Sequence, residues 1–94
     1  MLRFEWDVSK AKSNLKKHSV SFEEAETSFS DPKALIIPDP EHSIEEERLI
    51  LLGLSSNLRF LVVVHCYREN DAVIRIISAR KASKIERKVY EEKL

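Results

Sequence analysis

Ninety-four residues are enough for one domain, spanning 1–94, because a chain this long hides roughly two-thirds of the surface its unfolded form exposes. A hydrophobic content of 43% with 34% charged residues excludes a disordered or membrane-embedded chain, and the longest apolar run, Phe60 to Val64, is too short to cross a bilayer. Sixteen basic and sixteen acidic residues cancel, which argues against a dedicated nucleic-acid binder unless basic charge gathers on one face.

Residues Leu2 to Trp6 read as a short strand entering a helix, with Asp7 as its N-cap. In that helix Val8, Ala11, Leu15 and His18 share one face amid Lys10, Lys12, Lys16 and Lys17. Ser21 and Glu24 form a capping-box pattern that opens a second helix, with Phe22, Ala25 and Phe29 as its apolar stripe. Asp31-Pro32 ends it, since proline disfavours helical geometry in the residue before it. The period then changes. Ala34 to Ile37 is a short apolar strand broken by Pro38-Asp39-Pro40, and three longer strands follow at Glu47 to Leu54, Arg59 to Arg68 and Ala72 to Arg80. Ser55 to Leu58 and Glu69 to Asp71 are turns short enough for antiparallel hairpins. Ser83 and Glu86 make another capping box, starting a last helix that runs to about Leu94. The expected fold is α+β: an antiparallel meander with two N-terminal helices and a C-terminal helix, all on one face.

Side chains alternate across a strand, so parity sorts the two faces of this sheet. Leu49, Leu51, Phe60, Val62, Val64, Cys66, Ile74 and Ile76 form an almost wholly apolar set, expected to face the core. The other face mixes Ile50, Leu52, Leu61, Val63 and Ile77 with Arg48, Arg59, His65, Tyr67 and Arg75. Counting inward from a four-residue turn sets Arg48 against His65, and counting from a three-residue turn sets His65 against Arg75. Three such groups in a row would repel, because directly opposed side chains stand only about 5 Å apart. Two compensations are open. Acidic side chains from a helix or loop would make the row a structural ion-pair network. Alternatively the arginines grip a phosphate with paired hydrogen bonds, and His65 between two cations stays neutral and serves as a general base. Tyr67 on the same face would then stack on a base or donate its hydroxyl.

The remaining candidates carry less. His18, His42 and His65 lack metal-ligand spacing, and no cofactor is expected. His18 suits a helix C-terminus, and nothing assigns chemistry to His42. Cys66, the single cysteine, fits a small buried hydrophobe in a reducing cytosol, and no secretory leader pattern opens the chain. Trp6 is expected in the core. Arg80 and Lys81 end the last strand just before a helix, where an arginine is either solvated or aimed into a site.

A set of short motifs runs through nearly the whole chain: Phe4-Glu5-Trp6-Asp7 with Lys10-Ala11 and Asn14, Lys17-His18, and Val20-Ser21-Phe22-Glu23-Glu24-Ala25. Asp39 with His42-Ser43, Glu46-Glu47-Arg48, Leu61-Val62-Val63-Val64-His65, and Ile76-Ile77-Ser78-Ala79-Arg80-Lys81-Ala82 with Glu86-Arg87 complete it. In order and spacing the chain resembles the BrnT family, toxins of type II toxin–antitoxin systems with a RelE-like fold. One departure is Ser19, where that family commonly has Gly, the residue that tolerates the left-handed end of a helix. The resemblance implies a cytoplasmic endoribonuclease that inhibits translation, a BrnA-type antitoxin as partner, and DNA contact only through the antitoxin complex. It also implies roles for the polar row. Arg48 and Arg75 would hold the scissile phosphate, His65 would move the proton, and Arg80 would stabilise the charge that develops. Tyr67, Lys81 and Arg59 are RNA-positioning candidates. Two other functions compete: a non-catalytic RelE-like module acting with its partner in operon repression, and a plain interaction domain. Toxicity on expression alone, abolished by substitutions in the row, separates them.

Overall fold

Each helix begins where a side-chain oxygen meets an orphan backbone N–H. In the computed structural model, which describes residues 3–41 and 47–93, Asp7 accepts from the Lys10 N–H at 3.0 Å and starts helix α1, Val8–His18. Ser21 accepts from the Glu24 N–H and starts α2, Phe22–Thr27. Ser83 and Glu86 form a reciprocal capping box at the head of α3, Lys84–Glu92. At the end of α1, Ser19 takes the left-handed conformation, φ 58° and ψ 30°, and donates its N–H to the Leu15 carbonyl. Ser19 thus holds a conformation that glycine adopts at lower cost. The second helix is shorter than expected, because the chain tightens into a 3₁₀ turn at Ser28–Ser30 before Asp31.

The strands are β1 Arg3–Glu5, β2 Leu35–Pro38, β3 Leu49–Leu54, β4 Phe60–Arg68 and β5 Val73–Lys81. Their order in the sheet is β1-β5-β4-β3-β2. The meander from β2 to β5 is antiparallel throughout, while β1 adds a parallel edge against β5.

Register is where the structure departs from expectation. Leu54 pairs with Phe60, so the first hairpin loop holds five residues rather than four. Arg68 pairs with Val73, so the second holds four rather than three. A one-residue slip turns a whole strand over. The core-facing residues of β3 and β5 stand as expected, but β4 is inverted between them. Leu61, Val63 and His65 lie beneath α1 and α2 with Leu51, Ile76 and Ala79, all essentially inaccessible to solvent. Phe60, Val62, Val64 and Cys66 face the other way. Ile77 is the extra residue of a bulge, since His65 pairs with Ile76 and Val64 with Ser78.

The helices do not share one face. Val20, Phe22 and Ala25 close the α1–α2 core, with Trp6 edge-on to Phe22 at 5.9 Å. Helix α3 packs on the opposite face, where Tyr90 meets the Phe60 ring edge-on at 5.1 Å and Arg87 lies 4.6 Å above it. The Tyr90 hydroxyl donates to Asp31, whose carboxylate also accepts from the Leu54 N–H. The desolvation of this hydroxyl and its bond to Asp31 push Tyr90 up to about 12.

Helix α1 docks by hydrogen bonding more than by its apolar stripe. Val8 and Leu15 are 65% and 51% exposed, contrary to the periodic reading. Buried Asn14 instead donates to the carbonyls of Val20 and Ala79 and accepts from the Ala79 N–H, at 2.8–3.0 Å. Gly53, the only glycine in the chain, sits in β3 and not in a turn. A Cβ there would stand 3.1 Å from the Ser28 carbonyl oxygen and 2.9 Å from the end of Leu51. The glycine permits the 3₁₀ turn to lie against the strand.

Candidate functional site

The sheet face opposite α1 and α2 is only partly covered, because α3 reaches across no more than the Phe60 end. Beyond it lies a groove of about 310 Å³. Its floor is Ile50, Val62 and Val64, which cross-strand pairing and parity place side by side. Asp39, Pro40 and Glu41 form one wall, and Ser78 and Arg80 another. Arg80 pairs with Val62 and Ser78 with Val64, so both polar side chains rise from β5 over the apolar floor. Asp39 is buried and bends the chain at this wall, its carboxylate accepting from the Glu41 N–H at 3.0 Å.

Arg80 is held from behind. Its two terminal nitrogens reach both carboxylate oxygens of Glu86 at 2.8 Å, and Nη1 also donates to the Lys81 carbonyl. The guanidinium beside Glu86 holds that carboxyl down at about 2, helped by the backbone N–H of Ser83. The pair is therefore fully ionised across the physiological range.

The expected row of Arg48, His65 and Arg75 does not form. His65 pairs with Leu49 and Ile76, so Cys66 is the residue opposite Arg75. Continuing the β3 register sets Arg48, just before the strand, on the other side of Cys66. His65 points into the opposite core and is wholly buried. Phe29 stands edge-on to its ring at 4.8 Å and Tyr67 at 5.8 Å. Its Nδ1 lies 3.1 Å from the Val63 carbonyl, and Nε2 has no hydrogen-bond partner among the described residues. Burial pushes its pKa below the ordinary 6.5 against the opposing pull of the Val63 carbonyl, so the ring is neutral. A group so enclosed cannot reach an RNA hydroxyl.

The other candidates divide. Arg75 shares the groove face with Arg80, but their partners Cys66 and Val62 are four residues apart on β4, roughly 13 Å along the strand. Arg75 is paired with Glu5 at 2.8 Å, which is the ion-pair alternative realised at that position. Arg59 is also engaged: it grips the buried Glu24 with two hydrogen bonds and donates to the Ser19 carbonyl. This ties the β3–β4 turn to the α1–α2 junction, a structural role rather than one in RNA contact. The hydrogen bonds from Arg59 hold the Glu24 carboxyl below its usual range. Tyr67 belongs to the His65 side of the sheet, away from the groove, while Lys81 is exposed next to Arg80. His42, together with Ser43 and Glu46 of the motif run, lies outside the described residues.

Asp39, Glu41 and Ser78 of the groove, and Glu86 behind Arg80, escaped the sequence reading. Ser78 shares strand parity with Arg80, but alternation from Ile74 and Ile76 would set both toward the core, and only the bulge at Ile77 turns them to the groove. Glu86 was visible only as a cap, since its second role depends on the two-residue link that folds α3 back beside Arg80.

The comparisons with known proteins bear on what such a groove serves. The family model described as ribonuclease toxin, BrnT, of type II toxin–antitoxin systems matches residues 6–86. The chain belongs to the BrnT family. The 1.1 Å crystal structure of the ribonuclease toxin BrnT from Brucella abortus is similar to it over 89% of this chain and 100% of that one. With a TM-score of 0.69 and 23% identity, that likeness establishes a common fold. No curated protein matches the sequence. BrnT toxins belong to type II systems, so this chain has a toxin's role and an antitoxin for a partner. None of its described helices is long and apolar enough to cross a membrane.

Proposed function

We propose that the chain is a metal-independent endoribonuclease that stops translation in the cytoplasm until a BrnA-type antitoxin covers it. The observation that carries this reading is Arg80, an arginine fixed in the wall of an open groove in a member of a ribonuclease toxin family. Arginine matches phosphate geometry with paired donors, and a guanidinium in place before the reaction stabilises charge without reorganising. Arg80 holds the scissile phosphate. Arg75 and Arg48, farther along the same face, receive neighbouring phosphates of the strand, whereas Lys81, opposite Leu61, belongs to the other face.

Proton transfer falls to the carboxylates of Asp39 and Glu41, which line the groove with Arg80, and not to His65. One carboxylate takes the proton of the 2′-hydroxyl as its oxygen attacks phosphorus. The 5′-oxygen leaves and takes its proton from water, to which the carboxylate then returns the one it accepted. DNA is contacted only through the antitoxin complex.

The test is expression of the chain alone, with growth and RNA integrity followed together, then cleavage by the purified protein in excess chelator. Cleavage should persist, and Arg80→Ala should lower its rate by about 10²–10³-fold, the usual loss when a charge-stabilising donor is removed. A folded chain that leaves RNA intact would move the reading to a non-catalytic module acting in repression.

A further inference from the structure

We infer that Glu86 is a positioning residue of the RNA site, setting the guanidinium plane of Arg80 so that one defined edge faces the phosphate. This inference rests on the reading of Arg80 as the phosphate ligand.

A guanidinium offers two edges for a bidentate anion: end-on through both terminal nitrogens, or side-on through Nε and Nη2. Glu86 takes the end-on edge with both carboxylate oxygens, and the Lys81 carbonyl takes a further hydrogen of Nη1. Among the described residues nothing accepts from Nε or from the outer hydrogen of Nη2. The side-on edge is therefore the one left for a ligand, and Arg80 lines the groove. A carboxylate at the back of a planar cation fixes its roll as well as its position, which a lone arginine on a flexible stem would lack.

Glu86 is itself anchored twice. It occupies the third position of α3, where it accepts from the Ser83 N–H at 2.8 Å and where a helix favours negative charge. Helix α3 is seated on the sheet by Tyr90 and Arg87 against Phe60. The seat of the helix thus sets Glu86, and Glu86 sets Arg80. The ion pair also has an electrostatic consequence. It offsets part of the positive charge that would attract RNA, so Glu86 improves orientation at the expense of grip.

The two roles of Glu86 separate in two variants. Glu86→Gln keeps a residue that caps helices but loses the charged clamp, and Ser83→Ala loses the cap but leaves the clamp. Three proteins are compared with wild type: Glu86→Gln, Ser83→Ala and Arg80→Ala. Turnover is measured on a single-stranded RNA, and affinity by fluorescence anisotropy with a non-cleavable 2′-O-methyl oligoribonucleotide. Glu86→Gln should lower kcat about tenfold through misalignment, while its affinity for the probe rises roughly twofold to fivefold, the size of a partly exposed ion pair. Ser83→Ala should melt earlier yet keep both values. Wild-type kcat and affinity in Glu86→Gln, or an equal loss of kcat in Ser83→Ala, would overturn the inference and leave Arg80 in place. If Arg80→Ala binds and cleaves like wild type, the site assignment itself fails. Should wild type bind without cleaving, the anisotropy comparison decides alone, and unchanged affinity in Glu86→Gln rejects the role.

Discussion

At β5 the N–H and C=O of Ala79 point away from β4, and the side-chain amide of Asn14 meets both. Its remaining hydrogen goes to the Val20 carbonyl, so a buried polar side chain is fully used. Asn14→Ala should therefore cost about 3–5 kcal/mol in urea unfolding, because three backbone groups, the Ala79 N–H and C=O and the Val20 C=O, each lose a partner and each orphan costs about 1–3 kcal/mol. Periodicity could not find this residue: it weighs apolar side chains and so favoured Val8 and Leu15, which are exposed. His65 makes a second residue-scale prediction. Its folded pKa lies below the ordinary 6.5 because of burial, so the unfolded chain binds the proton more readily. The stability that neutral His65 confers is whole above pH 6.5 and is lost as pH falls from there toward the depressed folded value. A His65→Phe protein should lack that part of the acid-side loss, measured as the denaturation midpoint between pH 7.5 and 5.5. A parallel slope in both proteins would mean that another group is responsible.

Among the elements, β4 shows what alternation can and cannot settle. Phe60 to Val64 is apolar at every position, so neither face announces itself, and only the hairpin loops fix which way the strand turns. Both loops hold one residue more than the turn residues suggested. Their backbones explain why: Leu58, Glu69, Asn70 and Asp71 adopt positive φ without any glycine. N-caps, by contrast, read true at all three helices, because the N-cap oxygen and the N–H three positions on are local chemistry, although the reciprocal box closes only at α3 and Glu24 turns instead to Arg59 and Ser55. The one glycine supplies a prediction at this scale. In Gly53→Ala the unfolded chain would lose entropy, worth about 0.4–1 kcal/mol in favour of folding. Crowding against the Ser28 carbonyl oxygen, which is backbone and cannot step aside, should outweigh that gain, giving a net loss of about 1–2 kcal/mol by thermal unfolding. A more stable Gly53→Ala would show that the turn yields.

For the whole molecule, the α+β plan and its helix count were legible, since caps, periods and breakers are each written locally. The site was not, because it depends on register, on a bulge at Ile77 and on the return of α3, none of which leaves a mark in a short window. The antitoxin surface changes accordingly. Leu61 and Val63 belong to the core, while half-buried Ile50 and Leu52 remain on the groove face. An antitoxin that silences the toxin by covering this face should bury on the order of 1,200 Å² or more. Arg80→Glu and Ile50→Asp, if folded, should each weaken its binding at least about tenfold, as central interface positions do. Full affinity in both, by calorimetry, would place the contact elsewhere. The two margins of the sheet also differ in kind. One ends in β1, three residues long with Arg3 and Glu5 in ion pairs, and above it Asn14 occupies the backbone of Ala79. The other ends in β2, where Ile36 and Ile37 are exposed. Short, charged edges resist an incoming strand, and apolar ones invite it. Were copies to pair by strands, β2 would be the margin open to them, shielded only by its length of four residues and by Pro38. A β2-to-β2 contact leaves only blunted margins outward, so it would close at two chains instead of running on into a fibre.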